Sequence, residues 1–389
     1  MSIELWEVYA QFPRAVTIGA ELDISPSNWR WIHCLTLPLQ TLIAIQISQK
    51  PYKWIRYAIG VVVGAEGDLS LRPDVLDAVD YNASLPTEST TLYYHINDEE
   101  RRRMSPADPN NVRTMTDITS SVATVRRFQF HKEVAERDGD ACVLTNANPD
   151  YCDAVHLLPH SKGDAYITTY TQRRSRDPTG TDIVQDINSI RNGLFLNALT
   201  HRALGTNIAF LMTPNFAMTT SDINPTAPPT QTRCTAHAFT PGDPFALGTP
   251  SLKSGTPIRI SASPEWPPAI IFDAVYASSV LHHFGSQTLK DETLSTGGVV
   301  AAAQAGGKEI AGESAGATVR CNGRKGPECG PDPLDMLMTL PYILMTREER
   351  LGVTRAAQEK AQAAEQTRVR EKVETWMKQV DPPEQDPGI

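Results

Sequence analysis

The chain has 389 residues and a mass of 42.7 kDa, with 40% hydrophobic and 21% charged residues and a mean hydropathy of −0.30. This composition excludes a largely disordered chain and a membrane-embedded one. The formal net charge of −9 argues against nucleic-acid binding through overall charge, because such binding needs clustered basic residues. The six cysteines are too few for a disulfide scaffold, so we interpret them as reduced thiols of an intracellular protein, nuclear or cytoplasmic.

The first hundred residues have the character of strands. Residues 8–17, 42–47, 57–63 and 91–96 are β-branched or aromatic runs separated by Pro, Gly and Asp, and they predict a β-rich module over 1–105. The apolar runs are too short to span a bilayer, and the N-terminus lacks the basic start of a signal peptide. We therefore expect no membrane partner. The charge run at 98–103 predicts a solvated helix face.

The middle of the chain predicts a second domain over 120–288. Residues 121–138 indicate a helix that begins at a Ser or Thr cap and stops at Gly139 in the left-handed conformation. Further strand-like pieces occur at 257–260 and 270–276. These we assign to the same domain.

The last hundred residues change composition. Small residues dominate 289–332 and predict a flexible linker, because they bury too little apolar surface to offset the entropy of ordering. A capping-box spacing from Thr346 to Glu349 then opens a helical segment over 333–380. An apolar stripe that ends in Trp376 and Val380 either packs on the protein or mediates self-association.

The most informative stretch is 137–211. It opens with Arg137-Asp138-Gly139, continues to His156 in the run VHLLP, and closes with Asn192 in an Asn-Gly turn and with His201. A strand that ends in one histidine, a second strand entered through an asparagine, and a helix that carries another histidine would form a ββα hairpin.

These motifs resemble the HNH (His-Me finger) endonuclease family. The run HLLPHSKGD, the insertion after it and FLMTPNFAM are similar to fungal proteins with an HNH nuclease domain, and the likeness covers about 120–285. It implies an α+β fold with a ββα-metal core, flanked by the β-rich module and the C-terminal helix. Two positions depart from the family pattern. Val155 stands where many relatives have a metal-binding Asp, and Gly205 stands where an acidic residue or a second His is common.

The resemblance implies phosphodiester hydrolysis, with DNA favoured as the nucleic-acid partner. His156 would be the general base, Asn192 would orient it through the backbone or the ring, and His201 would hold a divalent ion. Mg²⁺ is expected, with Mn²⁺ or Zn²⁺ as other choices. A hard cation prefers oxygen ligands, so further ligands are sought among Asp153, His160 and Asp164.

Two questions stay open at this level. The guanidinium groups of Arg173, Arg174 and Arg176 suit phosphate oxygens, but the loop that carries them is equally well interpreted as solvent-exposed and mobile. The second question is whether the hairpin is catalytic or is an inactive scaffold that binds nucleic acid or protein.

Overall fold

The computed structural model describes residues 4–14, 26–45, 47–84, 87–109, 125–240 and 253–293. Helices and strands are mixed along these ranges, so the α+β class is confirmed. None of the helices in these ranges is both long enough and apolar enough to cross a bilayer. The four cysteines described, Cys34, Cys142, Cys152 and Cys234, are free and buried.

The N-terminal part contains one four-stranded sheet. Its strands are β1 (Leu5–Pro13), β2 (Trp29–Pro38), β3 (Gly67–Ser70) and β4 (Thr90–Ile96), in the order β2-β1-β4-β3. β1 pairs antiparallel with β2 and parallel with β4, while β3 and β4 are antiparallel. Buried and partly buried residues alternate along β1, as expected for a strand with one face on a core.

Two of the predicted strands in this region are wrong. Residues within 42–47 belong to helix α1 (Leu39–Ile45), and 57–63 belong to helix α2 (Pro51–Val63). Helix α2 begins with Pro51, which suits a first turn, and ends at Gly64 with φ of 71°. Most of its residues are buried. A short apolar run that is buried on all sides shows no alternation of apolar and polar residues, so the sequence pattern cannot distinguish a helix from a strand.

The charge run at 98–103 is the helix α3 (Asp98–Arg103). The Asn97 side chain caps it by accepting a hydrogen bond of 2.9 Å from the Glu100 backbone N–H. The helix is not solvated on every side, because Glu100 is buried and takes part in the ion pairs described below.

The second part of the chain begins with helix α4 (Val125–Arg137), which leads into the stretch singled out from the sequence. The elements that follow are β5 (Cys152–His156), α5 (Gly163–Arg174), β6 (Gly193–Asn197), α6 (Ala198–Ala203), β7 (Ile208–Thr213), β8 (Arg233–Ala238) and α7 (Ala269–Phe284). β5 pairs antiparallel with β6, and β7 pairs antiparallel with β8.

Helix α7 lies between two hydrophobic clusters. Its residues Tyr276, Val280 and Phe284 join the cluster under the N-terminal sheet, whereas Ile271 and Phe272 join the cluster around the β5–β6 hairpin. The prediction of a strand at 270–276 is therefore wrong. A helix apolar on both sides has the uniform hydrophobicity that we interpreted as a buried strand.

The predicted linker and C-terminal helix lie almost entirely outside the described residues. The first residues of that linker, 289–293, are helical, with Leu289 fully buried. Glu292 accepts a hydrogen bond of 2.6 Å from the Arg30 guanidinium on β2. These residues therefore pack on the N-terminal sheet region.

Candidate active site

The stretch that enters the hairpin is fixed by a buried ion pair. The Arg137 Nε donates to Asp138 Oδ1 at 2.8 Å, and the other guanidinium nitrogens donate to the carbonyl oxygens of Ile190 (2.6 Å) and Gly193 (2.8 Å). The second Asp138 oxygen accepts from the Phe195 N–H at 2.8 Å. Arg137 and Asp138 therefore attach the end of α4 to β6.

The hairpin places His156 opposite a glycine. In the β5–β6 register His156, the last residue of β5, pairs with Gly193, the first residue of β6. A Cβ at Gly193 would lie 2.8 Å from the Phe130 ring and 2.8 Å from Val134. The missing side chain thus lets α4 pack directly beside His156.

The His156 ring is held by an aromatic ring and an amide. It stacks on Phe130 with centroids 4.0 Å apart and planes inclined by 7°, and its Nε2 lies 3.3 Å from Asn188 Oδ1. An amide oxygen only accepts, so this contact favours the tautomer with the proton on Nε2. The ring is only partly buried, which leaves it accessible from solvent.

Asn192 orders the backbone that follows His156. Its Oδ1 accepts from the Leu158 N–H at 2.8 Å, and its Nδ2 donates to the carbonyl oxygens of Leu158 (3.0 Å) and Ile187 (2.9 Å). The side chain is fully buried, and the Asn192 carbonyl also accepts from the Leu157 N–H at 2.8 Å. Of the two orienting roles predicted, these contacts correspond to the one through the backbone.

His201 lies on α6 and pairs with a carboxylate of β5. Its Nδ1 is 3.1 Å from Asp153 Oδ2, and the Asp153 side chain is half exposed. The hydrogen bond with His201, together with the nearby His131 and Arg202, holds the pKa of Asp153 below its ordinary value. Asp153 therefore carries its negative charge at neutral pH beside the His201 imidazole.

The other candidate ligands occupy different places. The exposed His160 ring meets the His156 ring edge to face, with centroids 5.5 Å apart. Asp164 Oδ1 accepts from the Ile187 N–H at 2.8 Å and so holds the loop that carries Asn188. In the part of the chain that the structure describes, no three His, Cys, Asp or Glu side chains are grouped so that they could bind a metal ion together.

The arginine cluster needs correction. Residues 163–174 form helix α5 rather than a mobile loop, and of the two arginines at its end Arg173 is exposed whereas Arg174 is partly buried. Arg174 donates to the carbonyl oxygens of Val61 (3.0 Å) and Ser105 (2.6 Å). Arg176 binds Glu100 through two nitrogens, at 2.6 and 2.5 Å, and reaches Glu66 at 2.6 Å. Arg174 and Arg176 thus attach the end of α5 and the loop that follows it to the N-terminal part of the chain, and we no longer assign them to phosphate.

The two departures from the family pattern have structural roles. Val155 is buried, with 1% of its surface exposed, and belongs to the cluster around the hairpin. Gly205 adopts φ of 80°, a conformation in which its N–H reaches the Ile208 carbonyl at 2.8 Å and turns the chain from α6 into β7. The carboxylate on this side of the hairpin comes instead from Asp153, two residues before Val155.

Sequence reasoning missed Asn188 and Phe130. Asn188 precedes the Asn-Gly turn by four residues in a polar loop, where an asparagine is unremarkable. Phe130 lies on α4, and a phenylalanine in an amphipathic helix is ordinarily interpreted as a core residue. The packing of α4 on the hairpin brings Phe130 to His156, and the loop that Asp164 holds brings Asn188 to it.

Comparison with known proteins identifies the same segment of the chain. Residues 142–207, which include Asp153, His156, Asn192 and His201, match the family model described as HNH endonuclease. The resemblance inferred from the sequence is therefore confirmed for this segment. Neither the curated proteins nor the solved structures yielded a match. The family match indicates a function in cleaving or binding nucleic acid.

Proposed function

We propose that this protein is a metal-dependent endonuclease that hydrolyses phosphodiester bonds in nucleic acid, with DNA as the favoured substrate. One observation carries the proposal. His156 and the Asp153–His201 pair are held on one strand–strand–helix unit, and that unit lies within the segment that matches the HNH endonuclease family. We interpret β5, β6 and α6 as the ββα-metal core of that family.

His156 acts as the general base. The imidazole takes the proton of the attacking water, and the contact of Nε2 with Asn188 Oδ1 helps to set the orientation of the ring. Stacking on Phe130 fixes the plane of the ring, and the three side-chain hydrogen bonds of Asn192 fix the backbone that follows it. Because the ring is partly exposed, both water and a phosphate group can approach it.

The residues present fit a divalent ion that keeps several waters. Asp153 and His201 offer one carboxylate and one imidazole, a mixed set that suits Mg²⁺ or Mn²⁺ completed by water and substrate oxygens. When bound, such an ion stabilises negative charge on the phosphate and on the leaving oxygen. His160, which contacts His156 rather than this pair, is not assigned as a ligand.

The test is nicking of a supercoiled plasmid by the full chain with Mg²⁺, Mn²⁺ or EDTA. His156→Ala and Asp153→Asn are compared with His282→Ala, an exposed histidine on α7 that serves as the matched control. Binding of Mn²⁺ is measured in parallel by calorimetry, which reports on the ion independently of cleavage. We expect EDTA and His156→Ala to abolish nicking, and Asp153→Asn to weaken Mn²⁺ binding.

Two results would contradict the proposal. A folded protein that binds plasmid but cuts it with none of the ions would be an inactive scaffold. Nicking that persists in His156→Ala at the rate of His282→Ala would assign the activity to another base or to a contaminant.

A further inference from the structure

Two large apolar side chains are exposed beside the Asp153–His201 pair. Tyr151 is 73% exposed and Leu199 is 51% exposed, and each lies two residues before a member of the pair. Single apolar side chains scattered over a surface need no explanation, whereas apolar side chains grouped next to a candidate site indicate a contact surface.

The strand register brings these two residues to the same end of the hairpin. Cys152, the first residue of β5, pairs with Asn197, which is the last residue of β6 and the cap of α6. Tyr151 and Ala198 are the next residues on either side of that pair. Tyr151 therefore lies beside the first turn of α6, which carries Leu199.

The backbone of Tyr151 is fixed, whereas its ring is open. The Asn148 side chain accepts from the Asp150 N–H at 3.1 Å, and the Asn148 carbonyl accepts from the Tyr151 N–H at 3.0 Å. Within the residues that the structure describes, no other aromatic ring and no cation packs on the Tyr151 ring. A flat ring held in this way can stack on another flat ring without first being rearranged.

Arg202 adds a positive charge to this surface. Leu199 and Arg202 are three residues apart on α6 and both are exposed, on the side opposite the buried residues of the helix. The opposing charges are those of Asp150 and Asp153, and we have assigned Asp153 to the metal ion. With a divalent ion bound there, positive charge exceeds negative charge. We call Tyr151, Leu199 and Arg202 the hairpin patch.

We propose that the hairpin patch holds an unpaired nucleotide of the substrate beside the active site, with its base stacked on Tyr151 and a phosphate at Arg202. Every base has a flat π-face that can stack on an aromatic ring, and a guanidinium group suits phosphate oxygens. Leu199 adds an apolar contact. Because neighbouring bases cover both faces of a base in a duplex, the patch favours single-stranded regions. The inference rests on the proposed function, since it assigns a nucleotide to that active site.

The ring is tested by the fluorescence anisotropy of a labelled single-stranded oligonucleotide, bound by the full chain in EDTA, which removes the ion that cleavage needs. Loss of one stacked base should weaken the binding of Tyr151→Ala by about 5- to 100-fold. Tyr151→Phe, which keeps the ring, should bind as the wild type does. Leu76→Ala, which removes an exposed aliphatic side chain from the N-terminal part, is the control. Binding of a blunt duplex should change much less in Tyr151→Ala.

The charge is tested by the salt dependence of the same binding. One phosphate contact to a single strand contributes about 0.7 to the slope of log K against log salt concentration, so the slope for Arg202→Ala should be shallower by about that amount. Arg102→Ala removes an exposed arginine of the equally short helix α3 and should leave the slope unchanged. Circular dichroism checks that each variant is folded.

Three results would overturn the inference. They are a wild type that does not bind the single strand, a folded Tyr151→Ala that binds it as tightly as the wild type, and a loss in Tyr151→Ala that is equally large for the duplex. An unchanged slope in Arg202→Ala would overturn the phosphate contact. His156→Ala separates the two proposals, because it should lose cleavage and keep this binding. If the wild type never cleaves but its binding depends on Tyr151, the endonuclease fails while the nucleotide-binding patch stands.

Discussion

The interior of the protein and the hairpin surface hold histidines in opposite ways. His237 on β8 is fully buried, and both ring nitrogens have partners. Trp54 Nε1 donates to the Tyr276 hydroxyl at 2.6 Å, that hydroxyl donates to His237 Nδ1 at 2.6 Å, and His237 Nε2 donates to the Ile45 carbonyl at 2.7 Å. His156 and His201, by contrast, are partly exposed and face polar side chains of the hairpin region.

The difference distinguishes the structural histidine His237 from the two histidines that we propose take part in the chemistry. Burial lowers the pKa of His237 from 6.5 to about 4, so the ring stays neutral and serves only to satisfy the end of α1 and the Tyr276 hydroxyl. A ring that is closed to solvent can exchange no proton with a substrate. A ring that is partly exposed at the surface, as the His156 ring is, can do so.

The largest effect that sharpens this comparison is on catalysis. His156→Ala removes the base, and a general base contributes about 10²- to 10⁴-fold in rate, so nicking should fall by that factor. The unfolding midpoint should move little, because the ring is partly exposed. Single-turnover cleavage and thermal unfolding of the same preparation measure both quantities, and a large loss of stability would make His156 a structural residue.

The next effect concerns the buried amide that supports the site. Asn192→Ala leaves the N–H and the carbonyl of Leu158 without their partner in a buried place, so we expect a loss of about 3 kcal/mol in the free energy of unfolding. Urea unfolding measures it. Asn188→Ala, in a more exposed position on the same loop, is the control and should lose less than about 1 kcal/mol. Equal losses would show that Asn192 is not the anchor.

Two buried groups, His237 and Asp273, give a prediction for how the stability of the fold depends on pH. Between pH 6.5 and about 4 the unfolded state binds a proton that buried His237 does not, so acidification destabilises the fold through this group. Burial raises the pKa of Asp273 from 3.8 to about 6, so the folded state binds the extra proton between those values and acidification stabilises it through this second group. Each contribution amounts to about 3 kcal/mol over its window.

Asp273→Asn should remove the stabilisation on acidification by which Asp273 offsets the destabilisation from His237. The amide oxygen can still accept the hydrogen bond that Asp273 receives from the Tyr57 hydroxyl at 2.6 Å, so the variant should be more stable than the wild type at neutral pH. It should then lose stability more steeply as the pH falls from 6 to 4. Urea unfolding at several pH values measures the two slopes. Parallel curves for variant and wild type would mean that Asp273 does not titrate as argued.

The smallest effect lies at the contact between the two parts of the described fold. Arg176→Ala leaves Glu100, whose side chain is 8% exposed, without its bidentate partner, but the guanidinium itself is 41% exposed. Solvent screening therefore limits the expected loss to about 1 kcal/mol. Arg173→Ala, on the exposed end of α5, should be neutral in the same unfolding experiment. A neutral Arg176→Ala would leave this ion pair without a role in stability.

The sequence predicted the local structure of the hairpin better than the fold around it. Neighbouring residues along the chain determine the Asn-Gly turn, the strand that ends in His156 and the left-handed conformation of Gly139. The structure has the β5–β6 hairpin at the first two, and Gly139 has a φ of 71°. The prediction of strands is wrong for α2 and α7 because burial on several sides erases the period that distinguishes helix from strand. Helix α1 is buried on one face only, through Leu39, Leu42 and Ile45, but its apolar run was too short to show that spacing. The partner of Arg176 lies 76 residues away, and no local pattern encodes such a contact.

The most direct test of the account compares His156→Ala with His237→Ala, by measuring the cleavage rate per folded molecule and the free energy of unfolding for both. We predict that His156→Ala loses cleavage and keeps its stability, whereas His237→Ala loses about 3 kcal/mol of stability, through a cavity and unpaired polar groups, and cleaves at the wild-type rate when folded. The opposite pattern, or a loss of cleavage that follows stability in both variants, would contradict the assignment of His156 as the base.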